Sequence, residues 1–340
     1  MQILNYLKDW LQPNQTHSTE TNVHESLASS FASVSRPADQ GEPGVQNIVT
    51  DLLRLSTELF GRTDLRPCDN VNNLFGDLVR LCARTVSERV VTEVRAYPLP
   101  DGEKANRAQV LNNPEIIEIL PGLRRLCAEA EGYLESHWAD IIIGTENQFQ
   151  DEDKGKSFSL AFQLLANNAV SKRLMDFPYS NNYVDLTRLE LAAIHSVDPT
   201  PIRKIAFIGS GPLPLTSLQL LQMCPSIIEI LNIDHNCTAI SQSSRLCERL
   251  GSKGEGMHFL CAEAGSCDLM DFDVVYLAAL VGSTQVEKEE LLKAVVGKMG
   301  EGTILVIRSA HGLRRVLYAV CRKCLLDWEK WDANLSRSLT

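Results

Sequence analysis

From Pro201 onward the chain alternates short β-type runs with helical segments, a rhythm that a layered α/β architecture accommodates. Residues 205–208, 227–233, 257–261, 274–277 and 304–307 are apolar and rich in branched side chains, so they read as strands. Residues 215–223, 237–250 and 287–298 between them carry helical periodicity. Helices that alternate with strands return the chain to the same edge of the sheet, which predicts a mostly parallel, Rossmann-like sheet with helices on both faces. A ligand of such a sheet sits at the carboxyl ends of its strands.

The part before this rhythm has another character. Residues 12–46 are rich in Ser, Thr, Asn, Gln and Pro and hold few large apolar side chains, so 1–46 reads as a disordered leader. Ile48, Leu52, Leu55 and Leu59 then recur at helical spacing, as do Leu74, Leu78, Leu81 and Cys82. A longer helical stretch covers 114–143, interrupted at Pro121-Gly122, and a charged loop at 146–156 leads to a helix at 158–175. The expected organisation is the leader, a helical domain over 47–198 and a sheet domain over 199–340.

Charge and cysteine usage exclude several function classes. Thirty-three basic and 43 acidic side chains leave a net charge of −10, which works against nucleic acid and anionic membranes as partners and leaves a small molecule. No apolar run approaches the ~20 residues of a transmembrane helix. The 10 cysteines lack the dense spacing of a secreted scaffold, so reduced thiols and a cytoplasmic location are expected. Cys321 and Cys324 form a C-x-x-C pair with no second pair to complete a zinc site.

Chemistry gathers at the first strand's carboxyl end. Gly209, Gly211 and Pro212 make a glycine turn that opens the next helix, where bare backbone and unpaired N–H groups allow close approach of a ligand. A dinucleotide fingerprint requires a third glycine where Pro214 stands, which argues against a pyrophosphate. Asp234 ends the second strand at roughly the ~20-residue distance at which a carboxylate meets ribose hydroxyls, although a helix N-cap is the alternative. Glu263 follows the third strand, in reach of an adenosine amine or hydroxyl. A glycine turn with two carboxylates and no phosphate fingerprint favours S-adenosylmethionine, unless the turn merely closes a strand-to-helix connection.

Five segments carry a wider resemblance: Lys204 to Thr216 (KIAFIGSGPLPLT), Phe272 to Gly282 (FDVVYLAALVG), Arg308 to Gly312 (RSAHG), Phe177 to Tyr183 (FPYSNNY) and Ala128 to Glu135 (AEAEGYLE). In this order they resemble the nicotianamine synthase family. The resemblance implies a helical domain packed on a methyltransferase-like Rossmann domain. It also implies transfer of three aminocarboxypropyl units from three S-adenosylmethionine molecules as substrate, release of methylthioadenosine, closure of an azetidine ring, and no metal requirement. Glu135 matches the family's catalytic glutamate, and Tyr183 the tyrosine that faces the reacting amine. Glu131 shares the helical face of Glu135, either in the site or facing solvent.

Tyr179, Arg308 and His311 are the candidate substrate-binding residues; Arg308 suits a bidentate grip on a carboxylate. The structural alternatives are Tyr179 and Tyr183 as staples between the helical domain and the sheet, and His311 as a supporting group. After Tyr318 the family continues into two more strands, whereas residues 321–340 contain no β-type run, so the expected sheet lacks its last strands. An ordinary methyltransferase and a non-catalytic S-adenosylmethionine-binding homologue are the competing readings.

Overall fold

The computed structural model describes residues 44–84, 86, 110–144 and 169–320. The expected leader apart from its last residues, the charged loop at 146–156, the C-x-x-C pair and the tail at 321–340 lie outside the described residues.

Two amphipathic helices begin the described chain. In α1 (Val45–Phe60) Ile48, Leu52, Leu55 and Leu59 form one buried stripe. In α2 (Asp69–Ala83) Val71, Leu74, Leu78 and Leu81 do the same. Helix α3 (Pro114–Ile143) starts where the Asn113 side chain accepts the N–H groups of Glu115 and Ile116. It then runs 30 residues through Pro121 without the expected interruption. The cost of a proline inside a helix is offset here by packing: Gly122 leaves room for the Phe60 ring, which lies 3.0 Å from where a Cβ would be. Helix α4 (Ser180–Val197) buries Thr187, Glu190, Leu191 and Ile194 along one face.

The sheet contains β1 (Lys204–Ile208), β2 (Glu229–Asp234), β3 (Met257–Cys261), β4 (Val274–Leu277) and β5 (Ile304–Ile307). All four pairings are parallel, in the order β3-β2-β1-β4-β5. The connecting helices are α5 (Leu215–Met223), α6 (Cys237–Leu250) and α7 (Gln285–Val296). Helix α7 starts two residues before the expected 287 because Thr284 and Glu287 form a capping box. The strand order reverses between β1 and β4, so the ligand crevice belongs above their carboxyl ends.

Three apolar clusters hold these layers together. One joins α1, α2, the first half of α3 and Leu313, Val316 and Leu317, which come from beyond β5. A second packs Ala139, Ile142 and Ile143 of α3, together with α4, onto one sheet face. The third fills the other face beneath α7. The helical half and the sheet half therefore each contribute side chains to the other's core.

The expectation of reduced thiols fails at one place: Cys237 and Cys261 form a disulfide. The β2–β3 ladder sets Asp234 opposite Cys261, and the Asn236 cap turns Cys237 back over the strand end, with 5.1 Å between the two Cα atoms. The other six described cysteines are free.

Candidate active site

The glycine turn after β1 is shaped by contacts from both sides. Gly209 has φ +78°, and a Cβ there would lie 2.5 Å from Val281 in the loop after β4. Gly211 has φ +64°, and its Cβ would lie 2.6 Å from Oε2 of Glu135. Only glycine adopts this conformation cheaply and also admits a carboxylate so closely. The Gly211 N–H donates to Oδ2 of Asp234 at 2.9 Å. The cap of α6 is Asn236, whose side chain accepts the Thr238 and Ala239 N–H groups, so Asp234 is free of that alternative role. Glu135 from the helical half and Asp234 from the sheet thus converge on one residue.

Burial pushes the Glu135 carboxyl up to about 8, and the charges of Glu131 and Asp234 add to the rise. The hydroxyl of Tyr183 donates to Oε1 of Glu135 at 3.5 Å and opposes the shift, as does the Arg308 guanidinium. Burial, followed by the neighbouring Glu135 carboxylate, holds the Tyr183 phenol well above its ordinary value, so it remains a donor. Glu131 is raised to about 7 by burial, against a hydrogen bond from Tyr318 at 2.9 Å.

A group that keeps its proton in the folded protein up to about 8 but loses it near 4.5 when unfolded makes the native state the more protonated one between those values. Stability should therefore fall as pH rises from about 5 to about 8 and level off above, and Glu135→Gln should remove part of that slope. Denaturant midpoints of parent and variant across this range check it, and parallel pH profiles would count against a buried acid.

Arg308 follows β5 as expected, but its fork is occupied. Nε and Nη2 donate to the two carboxylate oxygens of Glu190 at 2.9 and 3.0 Å, and Nη2 also reaches Thr216 at 2.8 Å. The guanidinium stands over the Phe207 ring, 5.3 Å from its centroid. Glu190 and Tyr183 are both on α4, so the ion pair anchors the helix that delivers the phenol. Sequence reasoning missed Glu190, which the structure buries on the same face as Thr187, Leu191 and Ile194.

The remaining candidates are less central. Tyr179 precedes α4 and packs edge-on against Phe177 at 5.4 Å, which itself meets Trp138 at 5.5 Å, all three within the helical half. Glu263 and His311 are exposed at strand ends. Pro212 is buried and stiffens the turn. Three further residues went unnoticed in the sequence. Tyr318 holds Glu131, so that carboxylate does not face solvent. Lys288 is fully buried and donates to the Ala279 carbonyl at 2.7 Å, pinning the loop after β4. Thr216 completes the Arg308 cluster.

Gly211→Ala is expected to lower turnover by roughly 10²-fold, because the methyl group, 2.6 Å from Oε2, strains the turn at φ +64° and pushes the Glu135 carboxylate off its place. Steady-state kinetics decide this, and parental turnover would show that the contact is dispensable.

Among the described residues no group of three or more His, Cys, Asp or Glu side chains is arranged to hold a metal ion. No described helix is long and apolar enough to cross a membrane.

The chain matches the profile of the nicotianamine synthase protein family over residues 40–154 and 156–333. It is 33% identical over 277 residues to nicotianamine synthase 9 of Hordeum vulgare, covering 80% of this chain and 69% of the relative. It is 31% identical over 282 residues to nicotianamine synthase 2 of Arabidopsis thaliana, covering 82% and 75%. Among solved structures, MtNAS in complex with MTA and tNA superposes with a TM-score of 0.56 at 18% identity, covering 83% of this chain and 88% of that one. A mutant of MtNAS in complex with S-adenosylmethionine gives 0.55 at 18% identity, covering 79% and 85%. These structures share the fold, and the profile and the relatives together establish that the chain belongs to the nicotianamine synthase family.

Proposed function

We propose that the protein is a nicotianamine synthase, which transfers 3-amino-3-carboxypropyl groups from three S-adenosylmethionine molecules onto amine nitrogens and releases methylthioadenosine each time. The observation that carries this reading is the placement of a raised carboxyl, Glu135, directly over the Gly211 turn that Asp234 holds from the other side. S-adenosylmethionine is the substrate of this reading; Asp234 and Glu263 would meet its ribose and adenine, and the Gly209 to Pro212 turn would lie beneath the sulfonium.

An α-ammonium with an ordinary pKa of about 7.7 to 8.0 must lose a proton before its nitrogen attacks. Glu135, held at about 8, accepts that proton with almost no mismatch. The freed nitrogen bonds to the sulfonium's aminocarboxypropyl carbon, the C–S bond breaks, and its electron pair stays on sulfur to give the neutral thioether. Tyr183 offers its hydroxyl and ring face to orient the amine. Arg308 acts through Glu190 by fixing α4, so in this reading it positions Tyr183 rather than gripping substrate with its whole fork.

The test is incubation of the purified protein with S-adenosylmethionine alone, followed by mass spectrometry. Methylthioadenosine with a three-unit product is expected. S-adenosylhomocysteine would make the protein a methyltransferase, and binding without either nucleoside would make it a non-catalytic homologue.

A further inference from the structure

The Glu135–Tyr183 pair has a counterpart one helical turn away. Oε1 of Glu131 accepts the Tyr318 hydroxyl at 2.9 Å. Glu131 and Glu135 share one face of α3, while their phenols come from different places, Tyr183 from α4 and Tyr318 from the segment beyond the turn at Gly312–Val316. Two elements distant in the chain thus each supply a phenol to a carboxylate on the same stripe. Neither carboxylate is exposed, and the charge of Glu131 is among the causes that make Glu135 hold its proton more tightly.

The spacing has chemical meaning under the reading above, on which this inference rests. Each transfer joins a nitrogen to the far end of an aminocarboxypropyl unit, so successive nitrogens of the growing chain are separated by three carbons. Such an N–C–C–C–N segment spans about 5 Å when extended, from four bonds of about 1.5 Å. Four helical residues rise about 6 Å. Carboxylates one turn apart therefore match adjacent amines of the intermediate. The first acceptor has a single α-amine and occupies one station; the elongated intermediate has two nitrogens.

We propose that Glu131 and Tyr318 form a second amine-binding station, which holds the nitrogen three carbons from the reacting one while Glu135 serves the reacting nitrogen. The pair thereby retains the single-transfer intermediate and commits it to elongation.

The experiment compares Glu131→Gln and Tyr318→Phe with the parent protein, each supplied with S-adenosylmethionine, and quantifies methylthioadenosine, free single-transfer intermediate and three-unit product. The ratio of three-unit product to free intermediate is expected to fall about tenfold or more in Glu131→Gln, where a charged hydrogen bond is lost, and to fall also in Tyr318→Phe. A slower enzyme with an unchanged ratio in both variants overturns the proposal, since a purely structural role slows every transfer alike. Loss of the first transfer together with the later ones in both variants overturns it too. A parent that releases no methylthioadenosine rejects the underlying reading itself, and the second station with it.

Discussion

Glu135→Gln is expected to lower turnover about 10² to 10⁴-fold while leaving S-adenosylmethionine affinity within about threefold of the parent. The amide keeps the volume that faces Gly211 and can still meet the Tyr183 hydroxyl through its oxygen, so the site stays assembled. What disappears is the capacity to accept a proton, which the nitrogen must lose before it can displace sulfur. Because burial and the Glu131 and Asp234 charges all disfavour an anion at this place, the amide should also make the folded protein more stable near neutral pH. A loss of turnover with retained affinity and raised stability identifies Glu135 as the base. Turnover close to that of the parent would move the proton acceptor elsewhere, with Glu131 the next carboxylate on the stripe.

The largest effect on stability is expected from Glu190→Ala. The two side chains of its ion pair are only 9% and 16% exposed, so removal of the carboxylate leaves the largely buried Arg308 guanidinium without its counter-ion. Breaking a buried pair in this way costs about 3 to 5 kcal/mol. Turnover should fall as well, since α4 then loses its tie to the sheet and Tyr183 loses its fixed place beside Glu135. Replacing both partners with apolar residues, Glu190→Leu with Arg308→Met, should recover most of the stability without recovering activity. Urea denaturation of the single and double variants measures both halves of this expectation. A single-variant loss below about 1 kcal/mol would mean that water already screens the pair.

Much of the sheet is legible in the order of residues alone, because each strand is a short apolar run closed by a turn and followed by a helix of clear period. The strands at Met257–Cys261, Val274–Leu277 and Ile304–Ile307 have the bounds that the sequence suggests. The second strand begins at Glu229 rather than at 227, where apolar character runs ahead of the ladder. Local rules misjudge α3: proline and glycine together signal a break, but the apolar side chains before and after Pro121 enter packed cores that keep the helix whole.

Glu135, Tyr183, Gly211 and Asp234 each stand out in the sequence and lie together in the structure. Their supports are not legible there. Glu190 meets Arg308 across 118 residues and Glu131 meets Tyr318 across 187, and no local pattern encodes such a partner. Arg308 reads as a free grip for a substrate because its buried counter-ion lies in a helix whose periodicity alone gives no reason to suggest an acid in the interior. The Cys237–Cys261 bond likewise depends on strand register, which composition does not reveal.

Helix α3 is about 45 Å long at 1.5 Å per residue, and it is clamped near both ends. Ile116, Leu123 and Cys127 are locked among the first helices, whereas Ala139, Ile142 and Ile143 are locked against the sheet. Glu135 rides on the span between these clamps, like a mark on a beam resting on two piers. A void cut beneath either pier tilts the beam, so substitutions far from the reacting atoms should register first as a misaimed proton acceptor and only afterwards as a loosened fold.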